Sequence, residues 1–172
     1  ASLHNVTIAN NYADAGGGIS IWNSTGFELK NSILWGNSPQ QISMSNPSDI
    51  DVIISYSNIE GGSGNIDNEA EGPVDWKEGN ISNNPIFVYP AAQDFNLQFG
   101  SPSIDAGNPD NDGDGVTWVS DTNDQDPDFT RMDQGAFYYH QDDPPPFAPT
   151  NLSILAVGHE YISLSWSPNQ EE

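Results

Sequence analysis

The apolar residues of this chain fall in short bursts that are separated by Asn, Gly, Ser, Asp and Pro. Ile19 and Ile21 alternate with polar neighbours, and Ile42 and Met44 do the same. Alternation with a period of two places successive side chains on opposite faces of a β-strand. No window carries a helical period of useful length, so the pattern predicts an all-β protein.

Some of these bursts form an internal repeat. Residues 3–11, 29–37 and 54–62 align at offsets of 26 and 25 residues. Each opens on an apolar residue, has Asn or a bulky residue two positions later, and then continues with a second alternating pair. We interpret each segment as a strand, a one-residue bend and a second strand. Residues 16–21 and 41–44 then form the third face of each coil. A strand-only repeat of this length favours stacked parallel coils over a β-sandwich.

An ordered series of motifs then resembles one family. The runs at 16–21, 29–39 and 54–62 are followed by Asn-Asn-Pro-Ile-Phe-Val (83–88), Asp-Phe-Asn-Leu (94–97), Gly-Ser-Pro-Ser-Ile-Asp-Ala-Gly (100–107) and Arg-Met-Asp-Gln-Gly-Ala-Phe-Tyr (131–138). The series is similar to the closing region of secreted bacterial "choice-of-anchor" proteins. The resemblance implies the C-terminal coils of a right-handed parallel β-helix over residues 1–139, in an extracellular or cell-surface protein. Val6, Ser32 and Ser103 stand where that family often has Cys.

A second module is predicted after a proline-rich linker at residues 140–149, where three consecutive prolines favour an extended chain. Alternating residues at 152–157 and 161–166 predict two strands, and they resemble the start of a fibronectin type III domain over residues 150–172. That sandwich needs about seven strands. We therefore expect either a piece of a longer secreted protein or a subunit whose open edges are completed by copies of itself, end to end.

Charge excludes several classes of partner. The chain has 25 acidic and three basic residues, for a net charge of −22. Such a chain repels nucleic acid and anionic membranes, and no apolar run is long enough to insert into a bilayer. Clustered carboxylates attract hard divalent cations, of which Ca²⁺ is the usual one outside cells. The alternative is that the acidity only confers solubility.

The densest acidic segment contains a predicted calcium site. Residues 110–121 carry carboxylates at positions 1, 3, 5 and 12 of a calcium-loop spacing, a glycine at position 6 and a backbone carbonyl at position 7. Asp124, Asp126 and Asp128 follow as a second alternating group of three, which in this interpretation completes or extends the site. The alternative is a solvated acidic loop. The predicted ligands are Asp110, Asp112, Asp114, Val116, Asp121, Asp124, Asp126 and Asp128.

No catalytic residue is assigned. A polysaccharide lyase needs a basic residue and cationic neutralisation of its substrate, which three basic residues hardly supply. A glycoside hydrolase needs paired carboxylates, which are too abundant here to discriminate. We therefore expect a non-catalytic role in structure, adhesion or glycan contact, the alternative being the inactive end of a polysaccharide-degrading enzyme. Polysaccharide or cell-surface glycan is one expected partner, since exposed aromatic rings stack on sugars; the alternative is that most of the aromatic rings lie in the core or cap the ends of coils. The candidate rings are Trp22, Trp35, Trp76, Trp118, Tyr138 and Tyr139.

Overall fold

The computed structural model describes residues 1–22, 26–45, 52–68, 74–141, 150–157 and 162–167. The chain divides into two compact units, Ala1–His140 and Gln141–Glu172, which are described separately below. Most of the predicted linker, residues 142–149, lies outside the described residues.

Three parallel sheets build the first half of the larger unit. Their orders are β1-β4-β7-β10, β2-β5-β8 and β3-β6-β9, so each sheet takes every third strand along the chain. Helical structure in the described residues is confined to three short 3-10 turns. The predicted all-β class with parallel sheets is therefore confirmed. The strands are β1 (Ser2–His4), β2 (Thr7–Ala9), β3 (Ile19–Trp22), β4 (Phe27–Lys30), β5 (Ile33–Trp35), β6 (Ile42–Ser45), β7 (Val52–Ser55), β8 (Asn58–Ile59), β9 (Ile66–Asn68) and β10 (Val74–Trp76).

The strand register follows the sequence repeat. Leu3 lies beside Leu29, which in turn lies beside Ile54, so the leading apolar residues of the three repeats stack in one row. The bends that separate the first and second strands have positive φ, at 52° for Asn5, 51° for Asn31 and 47° for Tyr56. Asn tolerates this left-handed backbone better than most residues, which explains its recurrence there.

The core is lined by all three sheets. Leu29, Leu34, Ile42, Ile54 and Ile59 are inaccessible to solvent and belong to one apolar cluster whose buried members come from six strands. Burying a side chain of this size contributes about 1.5–3 kcal/mol relative to leaving it exposed. Parallel strands that each contribute only one or two such residues therefore depend on the neighbouring repeats for their stability.

Residues 83–140 form a second layer on the outer face of the sheet β2-β5-β8. They contain one antiparallel hairpin, β11 (Phe87–Tyr89) with β12 (Asp94–Leu97), and are otherwise largely irregular. Ile33 faces this layer and clusters with Phe87 and Leu97, whereas its neighbour Leu34 faces the core. Polar contacts fix the same interface, because the Asn58 side-chain amide donates to Ser103 Oγ at 2.9 Å.

The layer lies close to the sheet at Gly135. Its φ is 101°, its N–H donates to the Asn31 carbonyl at 2.8 Å, and a Cβ added there would lie 2.8 Å from Ile33 Cδ1 and from Thr7 Oγ1. A glycine is required at this position by both the backbone conformation and the space.

The smaller unit contains an antiparallel pair of strands. These are β13 (Thr150–Val157) and β14 (Ile162–Ser167), with Ser153 beside Ser165 and Ile154 beside Leu164.

Candidate metal centre

The acidic loop is shaped by its own aspartates. Asp110 accepts hydrogen bonds from the backbone N–H groups of Gly113 (2.8 Å) and Gly115 (3.0 Å), and both glycines have positive φ. Asp112 accepts from the N–H of Asp114 at 3.2 Å in a tight local turn. Alternating Asp and Gly residues favour such turns because short carboxylates can bond to nearby backbone N–H groups. The loop therefore presents several carboxylates close together.

Two groups of three carboxylates result from this folding. Asp110, Asp112 and Asp124 form one group, and Asp112, Asp114 and Asp121 form the other. Within each group the ligand oxygens lie within 4.8 Å of one another. Asp112 belongs to both groups. These carboxylates could hold a metal ion, since a cation can bind all the oxygens of such a group at once.

Asp124 is the most buried member of either group. It is inaccessible to solvent. Its Oδ1 accepts from the N–H of Asn111 at 2.6 Å and from the N–H of Asp112 at 3.3 Å. Its Oδ2 is also buried, and it has no hydrogen-bond partner within the described part of the chain. A buried carboxylate oxygen without a partner is destabilising unless a cation or a proton neutralises it. The donor set of Asp110, Asp112 and Asp124 therefore fits a hard cation.

A short turn delivers Asp124 to this position. Residues Thr122–Asp124 form a 3-10 turn, and the Asp121 side chain caps it by accepting from the N–H of Asn123 at 2.8 Å. The cap directs the chain back toward residues 110–112. Asp121 and Asp124 therefore enter different groups although they are only three residues apart in sequence.

The loop is anchored to the parallel sheets through Asn111. Lys30 Nζ donates to its carbonyl at 2.6 Å, and the Asn31 side-chain amide donates to its Oδ1 at 3.1 Å. Asn31 Oδ1 also accepts from the N–H of Asn108 at 2.7 Å. Asn31 is fully buried at a repeat bend, so one side chain joins the acidic loop to the end of β4.

The predicted ligands are distributed unevenly. Asp110, Asp112, Asp114, Asp121 and Asp124 all belong to one or both groups of three. Val116 is exposed, and its backbone N–H donates to Asp114 Oδ1 at 2.7 Å, which places it on the rim of the second group. Asp126 and Asp128 belong to neither group.

Asp126 and Asp128 instead form a second acidic cluster with Asp105 and Asp133. Burial raises the pKa of Asp126 to about 8, helped by the carboxylates of Asp128, Asp133 and Asp105. Burial also raises the pKa of Asp133 to about 6, against the opposing effect of hydrogen bonds from the N–H groups of Tyr139 and Asp105. Asp105 and Asp133 are not among the site residues predicted from the sequence. The only sequence feature that marks these two residues is their place in the Ile-Asp-Ala-Gly and Arg-Met-Asp-Gln-Gly motifs.

The candidate glycan-contacting rings are mostly engaged in packing. Trp35 and Tyr139 pack against the cluster around Ile33, and Trp76 packs against the main core. Trp118 is partly buried. Trp22 is 70% exposed and Tyr138 is 42% exposed, so of the candidates these two offer the most accessible faces.

Comparisons with protein-family models, with curated proteins and with solved structures found no match to this chain. Among the described residues, no helix is long and apolar enough to cross a membrane.

Proposed function

We propose that this protein is a non-catalytic extracellular β-helix whose closing layer is stabilised by Ca²⁺ and which serves in structure, adhesion or glycan contact. The observation that carries the proposal is the group formed by Asp110, Asp112 and Asp124, with a buried Asp124 oxygen that has no partner in the described residues. The family resemblance to "choice-of-anchor" proteins is part of the same proposal.

The strand order supports a right-handed parallel β-helix. Each of the three sheets takes every third strand, and the strands within each sheet are parallel. Repeats that bury a common core and contact only their neighbours are the defining feature of solenoids. Right-handedness is expected because crossover connections between parallel strands are almost always right-handed.

The chemistry of the loop supports Ca²⁺ in particular. All its candidate side-chain ligands are carboxylates, and the chain has no Cys that would favour a softer metal. Ca²⁺ accepts six to eight oxygen ligands in flexible geometry, which suits an irregular loop with additional backbone carbonyls. A calcium requirement also agrees with an extracellular location, which remains part of the proposal.

The proposed role of the ion is to hold the closing layer against the sheets. Lys30 and Asn31 contact Asn111, and the N–H of Asn111 is bonded to Asp124. Neutralising Asp124 removes the repulsion among three carboxylates that would otherwise open this connection. The exposed faces of Trp22 and Tyr138 support glycan contact as the accompanying surface function. In the smaller unit, the antiparallel pair β13–β14 supports the start of a fibronectin type III-like sandwich.

Terbium luminescence tests the metal site. The backbone N–H of Trp118 donates to the Pro109 carbonyl at 2.8 Å, so an indole lies on the segment that closes the loop and can sensitise a bound lanthanide. We expect saturable Tb³⁺ emission that Ca²⁺ displaces and that Asp124→Asn weakens strongly. Asp14→Asn removes the same charge from an exposed residue and serves as the matched control. Equal emission from both variants would refute the site.

A further inference from the structure

Two consecutive Asp-Gly peptide bonds lie in the acidic loop, at residues 112–113 and 114–115, and no other Asp or Asn of the chain precedes a glycine. The side-chain carbonyl carbon of an aspartate can be attacked by the backbone nitrogen of the next residue. A glycine leaves that nitrogen open because it has no Cβ. All four residues are exposed, and a Cβ added to Gly113 or Gly115 would meet no atom within 4 Å. Attack is therefore sterically free at both bonds, and water can reach them.

Each of the two aspartate side chains is folded back over the peptide bond that follows it. Asp112 Oδ1 accepts from the N–H of Asp114 at 3.2 Å, and Asp114 Oδ1 accepts from the N–H of Val116 at 2.7 Å. A bond from a side chain to the N–H two residues later closes a small turn, in which the carboxyl carbon lies beside the intervening peptide nitrogen. The reacting atoms are therefore held near an attack geometry. The same N–H donors stabilise negative charge that develops on the carboxyl oxygen during attack.

One carboxylate, that of Asp110, is hydrogen-bonded to both attacking nitrogens. Its Oδ1 accepts from the N–H of Gly113 at 2.8 Å, and its Oδ2 accepts from the N–H of Gly115 at 3.0 Å. An amide nitrogen is a poor nucleophile until its proton is removed, and a carboxylate already bonded to that N–H is positioned to accept the proton. The loop therefore brings together a nucleophile, an electrophilic carbon and a proton acceptor at each of the two bonds.

We propose that these two Asp-Gly bonds rearrange to isoaspartyl bonds in the folded protein, with Asp110 as the general base. The Gly113 nitrogen forms a bond to Asp112 Cγ while its proton passes to Asp110. The Cγ–O bond then breaks, and the oxygen leaves as water with that proton and a second proton from the solvent. Water next adds to the cyclic imide at the former backbone carbonyl carbon, whose C–N bond breaks to leave a carboxylate and release a proton. The mass of the chain is unchanged, and Gly115 attacks Asp114 by the same steps.

The rearrangement changes the proposed metal centre, although it does not depend on a bound metal. An isoaspartyl bond adds one methylene group to the main chain and moves the carboxylate onto Cα. Asp112 belongs to both groups of three carboxylates, so rearrangement at this residue alters both groups. The loop therefore contains a chemical route by which the protein loses the geometry of its acidic groups as it ages.

Asp121 is a matched control in the same loop. Its Oδ1 accepts from the N–H of Asn123 at 2.8 Å, so its side chain makes the same turn over the next peptide bond. That bond leads to Thr122, whose β-branched side chain crowds its own nitrogen. We expect no rearrangement at Asp121, which separates the effect of the following glycine from the effect of the turn.

The test is incubation of the whole chain in EDTA at physiological temperature, so that a bound cation does not contribute. Samples taken over time are digested, and isoaspartate is located by electron-transfer dissociation mass spectrometry. A synthetic peptide of residues 108–118 contains the same two bonds without the folded loop and serves as the reference. We expect isoaspartate at residue 112, residue 114 or both, forming roughly tenfold faster in the chain than in the peptide. A rate in the chain at or below that of the peptide, or an equal rate at residue 121, would overturn the proposal.

Three variants separate the role of Asp110 from the general reactivity of Asp-Gly bonds. Asp110→Asn removes the base and should slow the rearrangement roughly tenfold. Asp14→Asn, which makes the same change of net charge at an exposed residue, should leave the rate unchanged. Gly113→Ala places a methyl group beside one attacking nitrogen, so it should suppress isoaspartate at residue 112 and leave residue 114 as the internal reference. Equal rates in Asp110→Asn and Asp14→Asn, or unchanged isoaspartate at residue 112 in Gly113→Ala, would overturn the proposal.

Discussion

The wild type should be more stable than the Asp124→Asn variant in the presence of calcium. When calcium is removed, the variant should be at least as stable as the wild type. Asn keeps an oxygen that can accept from the N–H groups of Asn111 and Asp112. It places an uncharged amide at Oδ2, which has no hydrogen-bond partner among the residues that the structure describes. The variant therefore loses a metal ligand and, at the same time, a buried negative charge. Loss of the ligand lowers the free energy of unfolding in calcium, whereas loss of the buried charge raises it.

The magnitudes follow from the burial of Asp124 and from ligand linkage. At a free calcium concentration about 100 times the Kd, the bound ion stabilises the folded state by about 2.7 kcal/mol. At roughly 3 °C per kcal/mol for a domain of this size, its loss lowers the melting temperature by about 8 °C. Without calcium, removing a buried and incompletely paired charge should stabilise the variant by about 1–3 kcal/mol.

The assay is thermal unfolding of both proteins in millimolar Ca²⁺ and in EDTA. In calcium the wild type should melt well above Asp124→Asn, and in EDTA the variant should melt at or above the wild type. Asp14→Asn, which changes an exposed residue, should follow the wild type in both buffers. The reasoning is refuted if EDTA leaves the wild-type melt unchanged, or if Asp124→Asn is destabilised equally in both buffers.

Three further outcomes are expected. Asn31→Ala removes the hydrogen bonds to Asn108 and Asn111, and the free energy of unfolding measured in urea should fall by about 2–3 kcal/mol. An unchanged midpoint of urea-induced unfolding would contradict the anchoring role of Asn31. In EDTA, the free energy of unfolding should decline from pH 4 to pH 8, because Asp126 and Asp133 hold their protons more tightly in the folded protein, with pKa values of about 8 and about 6. The Asp126→Asn variant should show a smaller decline in the upper part of this range. A stability that rises with pH in EDTA would refute the prediction. Gly135→Ala should destabilise by about 2–4 kcal/mol through strain and contact with Ile33, whereas Gly113→Ala, at a φ of 77° in open space, should lose only about 1 kcal/mol.

The periodic part of the fold was accessible from the sequence because each repeat makes the same contacts as its neighbours. The offset between Leu3, Leu29 and Ile54 predicted a shared row, and the structure places them in register. The second layer was harder to predict. Ile33 and Leu34 are adjacent and both buried, which indicates a strand covered on both faces, but a sequence repeat does not identify what covers the outer one.

The candidate site was only partly predictable, because irregular loops have no period. The spacing of Asp110, Asp112 and Asp114 identified the start of the loop, since those contacts are local. Asp124 lies beside Asp110 because the chain makes a 3-10 turn at Thr122–Asp124, which the Asp121 side chain caps, and the spacing of the acidic residues does not reveal this turn. Asp126 continues the same alternating pattern in sequence, yet it lies with Asp133 because the chain turns between them.

The proposed calcium centre is tested most directly by an experimental structure determined in the presence of Ca²⁺. We predict one ion bound by carboxylate oxygens of Asp110, Asp112 and Asp124 at about 2.3–2.6 Å, with the loop still joined to Asn31 through Asn111. A structure at saturating Ca²⁺ in which these three carboxylates bind no ion and Asp124 Oδ2 remains without a partner would contradict the account.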